Sequence, residues 1–147
     1  MTNLKIYLAG SMKNCESFEE MNEWREQIKK YIEHYGKYYA VRLTVINPVD
    51  FYNFKAKRHQ NEREIMQYDL NHVKSSDIVI VNLKGLNNSI GSCIELYEAY
   101  KRNIPVLAFG TNKMYTDLHP WIKECITRKE LTDEDVVMYI RDFYFTC

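Results

Sequence analysis

Apolar and polar positions along this chain follow two alternating periods. Residues 4–9, 42–46, 77–83 and 105–109 are short runs rich in β-branched and aromatic side chains, the length and composition of strands. Between them the period lengthens. Met21, Trp24, Ile28, Tyr31, Ile32 and Tyr35 recur at helical spacing, after an S-x-x-E capping pattern at Ser17–Glu20 and before a stop expected at Gly36. Ile65, Met66, Leu70 and Val73 mark a second helix over 62–75, and a third runs from about residue 90 to near Arg102. Val136, Val137, Tyr139, Ile140 and Phe143 mark a last helix, capped at Thr132. Residues 110–113 read as a loop, and a fifth strand is expected near 125–128.

Strands separated by helix-length segments need crossover connections, which make parallel strands with helices on the sheet faces. The chain is therefore expected to be α/β: a flavodoxin-like three-layer sandwich, with a mainly parallel sheet of about five strands in the order 2-1-3-4-5. Residues 77–109 form the central strand–helix–strand unit, and 1–147 are expected to be a single domain. In that order the strands beginning at Leu4 and Asp77 are neighbours across the switch point, so the loops at their carboxyl ends share one crevice.

Those loops carry the candidate chemistry. Gly10-Ser11-Met12-Lys13 offers backbone N–H groups, a hydroxyl and a cation, and Ser89-Ile90-Gly91-Ser92 offers hydroxyls and a helix N-terminus. A phosphate suits such a crevice. Neither G-x-x-x-x-G-K-[ST] nor G-x-G-x-x-G occurs, which disfavours ordinary NTPase and dinucleotide sites. Asp69 falls between Ile65 and Val73, inside the apolar stripe of its helix. A carboxylate there either has a strong partner, such as the backbone, Tyr68 or His72, or faces a polar cavity. Glu95 lies opposite Cys93, Tyr97 and Tyr100, and spacing alone makes it a surface glutamate. The segment 49–60 interleaves Phe51, Tyr52 and Phe54 with Lys55, Lys57, Arg58 and His59, as either a substrate-covering lid or a solvated loop.

Charge and composition narrow the field. Twenty acidic against twenty basic residues give a formal net charge of zero, which argues against nucleic acid or an anionic membrane as a bulk electrostatic partner. No apolar run approaches the ~18 residues of a membrane span, and a cytoplasmic location is expected. Cys15, Cys93, Cys125 and Cys147 lack metal-ligand spacing, so reduced thiols and no metal site are expected.

Taken in order, Ile6-Tyr7-Leu8-Ala9-Gly10-Ser11, then Asp69 ahead of Ser76-Asp77-Ile78-Val79-Ile80-Val81-Asn82, then Gly91-x-x-x-Glu95 with Tyr97-Glu98-Ala99-Tyr100 and Pro105-Val106 resemble the nucleoside 2-deoxyribosyltransferase superfamily over residues 4–110. The resemblance implies catalytic roles for Tyr7, Asp69 and Glu95: Glu95 as nucleophile toward the sugar, Asp69 as general acid for the leaving base, and Tyr7 as the group that holds Glu95. Where the transferases carry an aspartate six residues before the glutamate, this chain has Ser89. That serine is similar to the 2′-deoxynucleoside 5′-phosphate N-hydrolase branch, in which it binds phosphate, and Ser11 with Lys13 resembles that branch's G-S-x-R loop. The implied activity is cleavage of the N-glycosidic bond of (2′-deoxy)nucleoside 5′-monophosphates through a glycosyl-enzyme intermediate, with Gly10, Ser11, Lys13, Ser89 and Gly91 binding substrate. Transfer of deoxyribose between bases and a non-catalytic nucleotide-binding domain are the alternatives, with a flavin-type redox module a weaker one by fold analogy. Neither metal nor organic cofactor is required, and a homodimer or higher homo-oligomer is expected.

Overall fold

The computed structural model describes residues 2–12, 18–51 and 59–145. Five strands, β1 (Asn3–Ala9), β2 (Arg42–Ile46), β3 (Ile78–Asn82), β4 (Val106–Phe109) and β5 (Arg128–Glu130), form one parallel sheet in the order β2-β1-β3-β4-β5. Register sets the height of the crevice. Ala9 pairs with Val81 and Val81 with Ala108, so the carboxyl ends of the three central strands stand level.

The helices are α1 (Phe18–Tyr38), α2 (Glu62–Lys74), α3 (Ile90–Lys101), two single turns α4 (Asn112–Thr116) and α5 (Pro120–Glu124), and α6 (Asp133–Tyr144). Successive strand side chains point to opposite faces, and both faces are apolar. Leu4, Ile6, Leu8, Ile78 and Ile80 pack with Ile28 and Ile32 of α1 and Val136 and Ile140 of α6. Tyr7, Ala9, Val79 and Val81 pack with Val73 of α2 and Leu96 and Ala99 of α3. Tyr7 is therefore committed to the face that carries α2 and α3. Asn47, buried after β2, ties that strand to α1 by donating to Asn22 Oδ1 at 2.8 Å and Glu26 Oε1 at 3.1 Å.

Several boundaries differ from the sequence reading. Helix α1 runs past Gly36 to Tyr38, and the turn comes at Ala40, whose φ is 54°. Gly36 is there for room rather than for a stop: a Cβ on it would lie 2.4 Å from Leu43 Cδ1. The strand expected near 125–128 is β5, three residues later, because Pro120 at the first helical position and the His119 ring accepting from Trp121 N start a turn of helix first. Residues 110–113 are a loop only in part, since Thr111 caps α4. Helix α2 starts at a capping box made by Asn61 and Glu64. Pro48–Phe51 is a 3₁₀ turn, and Lys13, Ser17 and residues 52–58, which carry the basic end of the first loop, the expected cap of the first helix and most of the expected lid, lie outside the described residues.

Candidate active site

At the carboxyl end of β1, Tyr7 is fully buried and its hydroxyl donates to Glu95 Oε2 in the second turn of α3. Glu95 is partly buried. Helix α3 turns Ser92, Leu96 and Ala99 to the sheet and leaves Tyr97 and Tyr100 more than half exposed. Its outward face is thus the aromatic one. Glu95 borders the Ser92–Leu96–Ala99 stripe, which lets its carboxyl reach the Tyr7 hydroxyl. Glu98 is also buried, but it belongs to a structural cluster with Lys74, Lys101 and Arg102 that clamps α2 to α3.

Burial pushes the Glu95 carboxyl up from 4.5 to about 8. The Tyr7 hydrogen bond is the main force in the other direction, the charge of Asp69 adds to the rise, and the charge of Arg25 subtracts from it. Asp69, partly buried in the third turn of α2, is thus close enough to act on Glu95 electrostatically. The structure brings Tyr7, Asp69 and Glu95 into one constellation from β1, α2 and α3.

The two loops that flank it differ in kind. Ser89 stands at the N-cap of α3, yet makes no side-chain cap; its hydroxyl pairs with Ser92 Oγ at 2.8 Å. Gly91 is exposed, and among the described residues a Cβ there would meet nothing within 4 Å. Ser11 is buried just past β1. Gly10 is packed tightly instead of lying open: a Cβ there would lie 2.8 Å from Trp24 Cζ2 and 3.4 Å from Arg25 Nη2. Its lack of a side chain lets α1 close over the end of β1.

Arg25 is the residue sequence reasoning missed. It is fully buried on α1, donates to Gly10 O at 3.0 Å and Met21 O at 2.5 Å, and lies 4.5 Å over the Trp24 ring. A signal was available: Met21, Arg25, Ile28 and Ile32 are one buried stripe, so Arg25 interrupts the apolar face of α1 just as Asp69 interrupts that of α2. Among the described residues, no group of three or more His, Cys, Asp or Glu is placed to hold a metal ion, and no helix is long and apolar enough to cross a membrane. Cys93 and Cys125 are free thiols. They line an apolar groove of about 390 Å³ with Tyr97, Tyr100 and Trp121, on the side of α3 away from Glu95.

The fold places this chain among parallel α/β proteins with the sheet order 2-1-3-4-5. It belongs to the family described as nucleoside 2-deoxyribosyltransferase like, whose model matches residues 3–112, and it is accordingly an enzyme of the deoxyribosyl-transfer or N-glycosidase type. No curated protein matches it. Among solved structures, a conserved protein from Enterococcus faecalis V583 is similar at 21% identity with a TM-score of 0.74, over 96% of this chain and 99% of that one. A 2-deoxyribosyltransferase from the psychrotolerant bacterium Bacillus psychrosaccharolyticus is similar at 19% identity with a TM-score of 0.56, over 90% of each chain. At these identities the likeness is one of fold.

Proposed function

We propose that the enzyme hydrolyses the N-glycosidic bond of (2′-deoxy)nucleoside 5′-monophosphates, with Glu95 as nucleophile, Asp69 as general acid and Tyr7 as the residue that orients Glu95. The observation that carries this reading is the hydrogen bond from buried Tyr7 to Glu95 within electrostatic reach of Asp69. A Glu95 carboxylate oxygen bonds to C1′ as the C1′–N bond breaks, the bonding pair leaves with the base, and the base takes a proton from Asp69 directly or by relay. Water then releases the sugar phosphate and returns a proton to Asp69. The 5′-phosphate is assigned to Ser11, Lys13, Ser89 and the α3 N-terminus at Gly91. Support comes from the start of α3, which Ser89 does not cap with its side chain and where amides and helix dipole favour an anion. Gly10 shapes the loop.

One observation favours a reversed pairing. Of two facing carboxyls, the one held protonated is ordinarily the acid, and Glu95 is the one pushed up to about 8. Against this, the Tyr7 hydroxyl donates to Glu95 Oε2 and so orients the carboxyl as a nucleophile requires. Rapid acid quench followed by peptide mass mapping decides: a sugar-phosphate adduct on Glu95 supports the first assignment, and one on Asp69 the second.

Base release from a panel of nucleoside monophosphates and nucleosides, with and without an acceptor base, tests the activity as a whole. Release from monophosphates without acceptor is expected; dependence on an acceptor base makes the enzyme a 2-deoxyribosyltransferase. The reading includes a homodimer or higher homo-oligomer, supported by the exposed Tyr97, Tyr100 and Trp121 and checked by sedimentation. Residues 1–147 act in it as a single domain.

A further inference from the structure

Ser92 is the polar member of the stripe that α3 turns to the sheet. It is only 3% exposed and shares that stripe with Leu96 and Ala99, where an alanine would favour the helix more. A hydroxyl buried there needs a partner. Serine inside a helix commonly bonds the carbonyl four residues back. Among the described residues the hydrogen bond of the Ser92 side chain is instead to Ser89, Oγ to Oγ at 2.8 Å. Ser89 departs from habit in the matching way. It is the N-cap of α3 and Ser92 is the third residue of that helix, the one whose backbone N–H an N-cap serine ordinarily accepts. With φ −107° and ψ 87° Ser89 makes no side-chain cap, and its hydroxyl meets the Ser92 hydroxyl in place of the Ser92 amide.

We propose that Ser92 is a positioning residue that determines specificity: it holds the Ser89 hydroxyl away from the capping position and directs it to the 5′ group of the substrate, favouring a phosphate over a hydroxyl. This inference rests on the reading above, in which Ser89 contacts the 5′-phosphate. Each serine hydroxyl has one proton and can both donate and accept. A phosphate dianion only accepts, so Ser89 gives its proton to the anion and Ser92 donates to the Ser89 oxygen. Every proton then has an acceptor, and the bond from Ser92 polarises the Ser89 hydroxyl and strengthens its hold on the anion. Without the Ser92 hydroxyl, Ser89 regains the ordinary capping option, and its oxygen turns toward the amides assigned to the phosphate. An uncharged 5′-hydroxyl both donates and accepts, so it adapts to either orientation of Ser89 and loses less.

The experiment measures kcat and KM for a nucleoside 5′-monophosphate and for its nucleoside in wild type, Ser92→Ala, Ser89→Ala and the double variant, with calorimetric binding of 2-deoxyribose 5-phosphate to each. Ser92→Ala is expected to raise KM for the monophosphate and Kd for the sugar phosphate by about three- to tenfold, with kcat and the nucleoside constants changed much less. In the Ser89→Ala background the same substitution should add nothing, because Ser92 acts through Ser89. If Ser92→Ala does not fold, Ser92→Cys, which fills nearly the same space with a weak donor, carries the same expectation. Equal losses for both substrate classes, effects that add in full in the double variant, or an unmoved KM and Kd each overturn the proposal and leave Ser92 a packing residue. Wild-type protein that binds the sugar phosphate but releases no base would sink the N-glycosidase reading, and the binding series would still judge Ser92. Wild-type protein that binds no sugar phosphate removes the phosphate assignment and this inference together, while base release from nucleosides judges the chemistry by itself.

Discussion

Tyr7 and Glu95 are 88 positions apart in the chain and joined by one hydrogen bond, from a phenol fixed inside the sheet to a carboxyl on the helix packed against it. Tyr7 is fully enclosed in the sheet, and its hydroxyl gives Glu95 a buried partner that orients the carboxyl. Removing only the hydroxyl isolates this effect. Tyr7→Phe fills nearly the same space and costs about 1 kcal/mol of stability for the lost bond. It also removes the main force that favours the Glu95 carboxylate, so the ascending limb of kcat/KM should shift to higher pH. A limb that stays in place while kcat falls would assign Tyr7 to packing alone.

The raised Glu95 carboxyl should appear in stability as well as in rate. Its folded value of about 8 lies above its ordinary 4.5, so between these two pH values the folded state keeps a proton that the unfolded chain has released. The stability this confers is full below about pH 4.5 and is lost as pH rises through about 8. Glu95→Gln carries no charge at any pH and escapes that loss. The difference in Tm, variant minus wild type, should therefore grow more positive from pH 5 to pH 9, as read by thermal denaturation in matched buffers. A constant difference would mean that Glu95 titrates at its ordinary value. Base release by the same variant should vanish, since the lost oxygen acts on the transition state.

Asp69→Asn combines two effects of opposite sign. Removing the aspartate charge lowers the Glu95 carboxyl and moves the ascending limb to lower pH. Removing the proton donor cuts turnover, by roughly 10²–10⁴-fold for poor leaving groups and less for bases that depart readily. Comparing kcat across bases of graded leaving ability, over a pH series, separates the two. A loss of the same size for every base would make Asp69 an electrostatic neighbour rather than the acid.

How much of this was legible in the sequence depends on the range of the interaction involved. β2 falls on the expected residues and β1, β3 and β4 within a residue of them, because β-branched runs and their flanking turns are local signals. The alternation pointed to parallel crossovers, and the strand order came from the flavodoxin-like arrangement they suggest. β5 was misplaced because Arg-Lys-Glu has no apolar alternation; its position depends on pairing with Leu107–Phe109. Glu95 looked like a surface residue because the wheel took Tyr97 and Tyr100 for the inner face, whereas Leu96 and Ala99 face the sheet. Tyrosines tolerate exposure, so they were poor markers of burial. Only the resemblance singled out Glu95, since its partner Tyr7 lies outside any local window. Arg25 was legible by the reasoning applied to Asp69, a charge inside an apolar stripe, but its target, the Gly10 carbonyl, is a tertiary contact.

Gly36 offers a test of packing with an unusual sign. Glycine to alanine inside a helix ordinarily gains about 0.5–1 kcal/mol. Here the new methyl would stand 2.4 Å from Leu43 Cδ1, closer than side chains allow, at a buried position between α1 and β2. Overpacking of this kind costs about 1–3 kcal/mol, so the clash should win. Gly36→Ala is expected to lower Tm by several degrees, and adding Leu43→Ala should weaken that penalty in a double-mutant cycle. A Gly36→Ala variant that is more stable than wild type would show that Leu43 moves aside freely.

Ser89 decides which substrate the crevice takes. If its hydroxyl, Ser11, Lys13 and the amides at the start of α3 receive a 5′-phosphate, Ser89→Asp puts a negative charge next to the phosphate. Like charges ~3–4 Å apart repel by several kcal/mol when partly desolvated. Use of monophosphates should then fall by about a hundredfold or more, while a free nucleoside, whose 5′-hydroxyl can donate to the new carboxylate, should be used as well as before or better. A capping role for Ser89 leads elsewhere. Aspartate caps a helix about as well as serine, so a residue that served only as a cap would tolerate the change with both substrate classes unaffected. In the structure Ser89 makes no side-chain cap and bonds Ser92 instead, which weakens the reason to expect that bland outcome. The deciding quantity is kcat/KM for a nucleoside monophosphate divided by that for its nucleoside, in wild type and Ser89→Asp. A large wild-type ratio that collapses in the variant supports the phosphate site. A ratio near unity in both would return the enzyme to transfer between free nucleosides, with Ser89 standing where a 5′-hydroxyl is read.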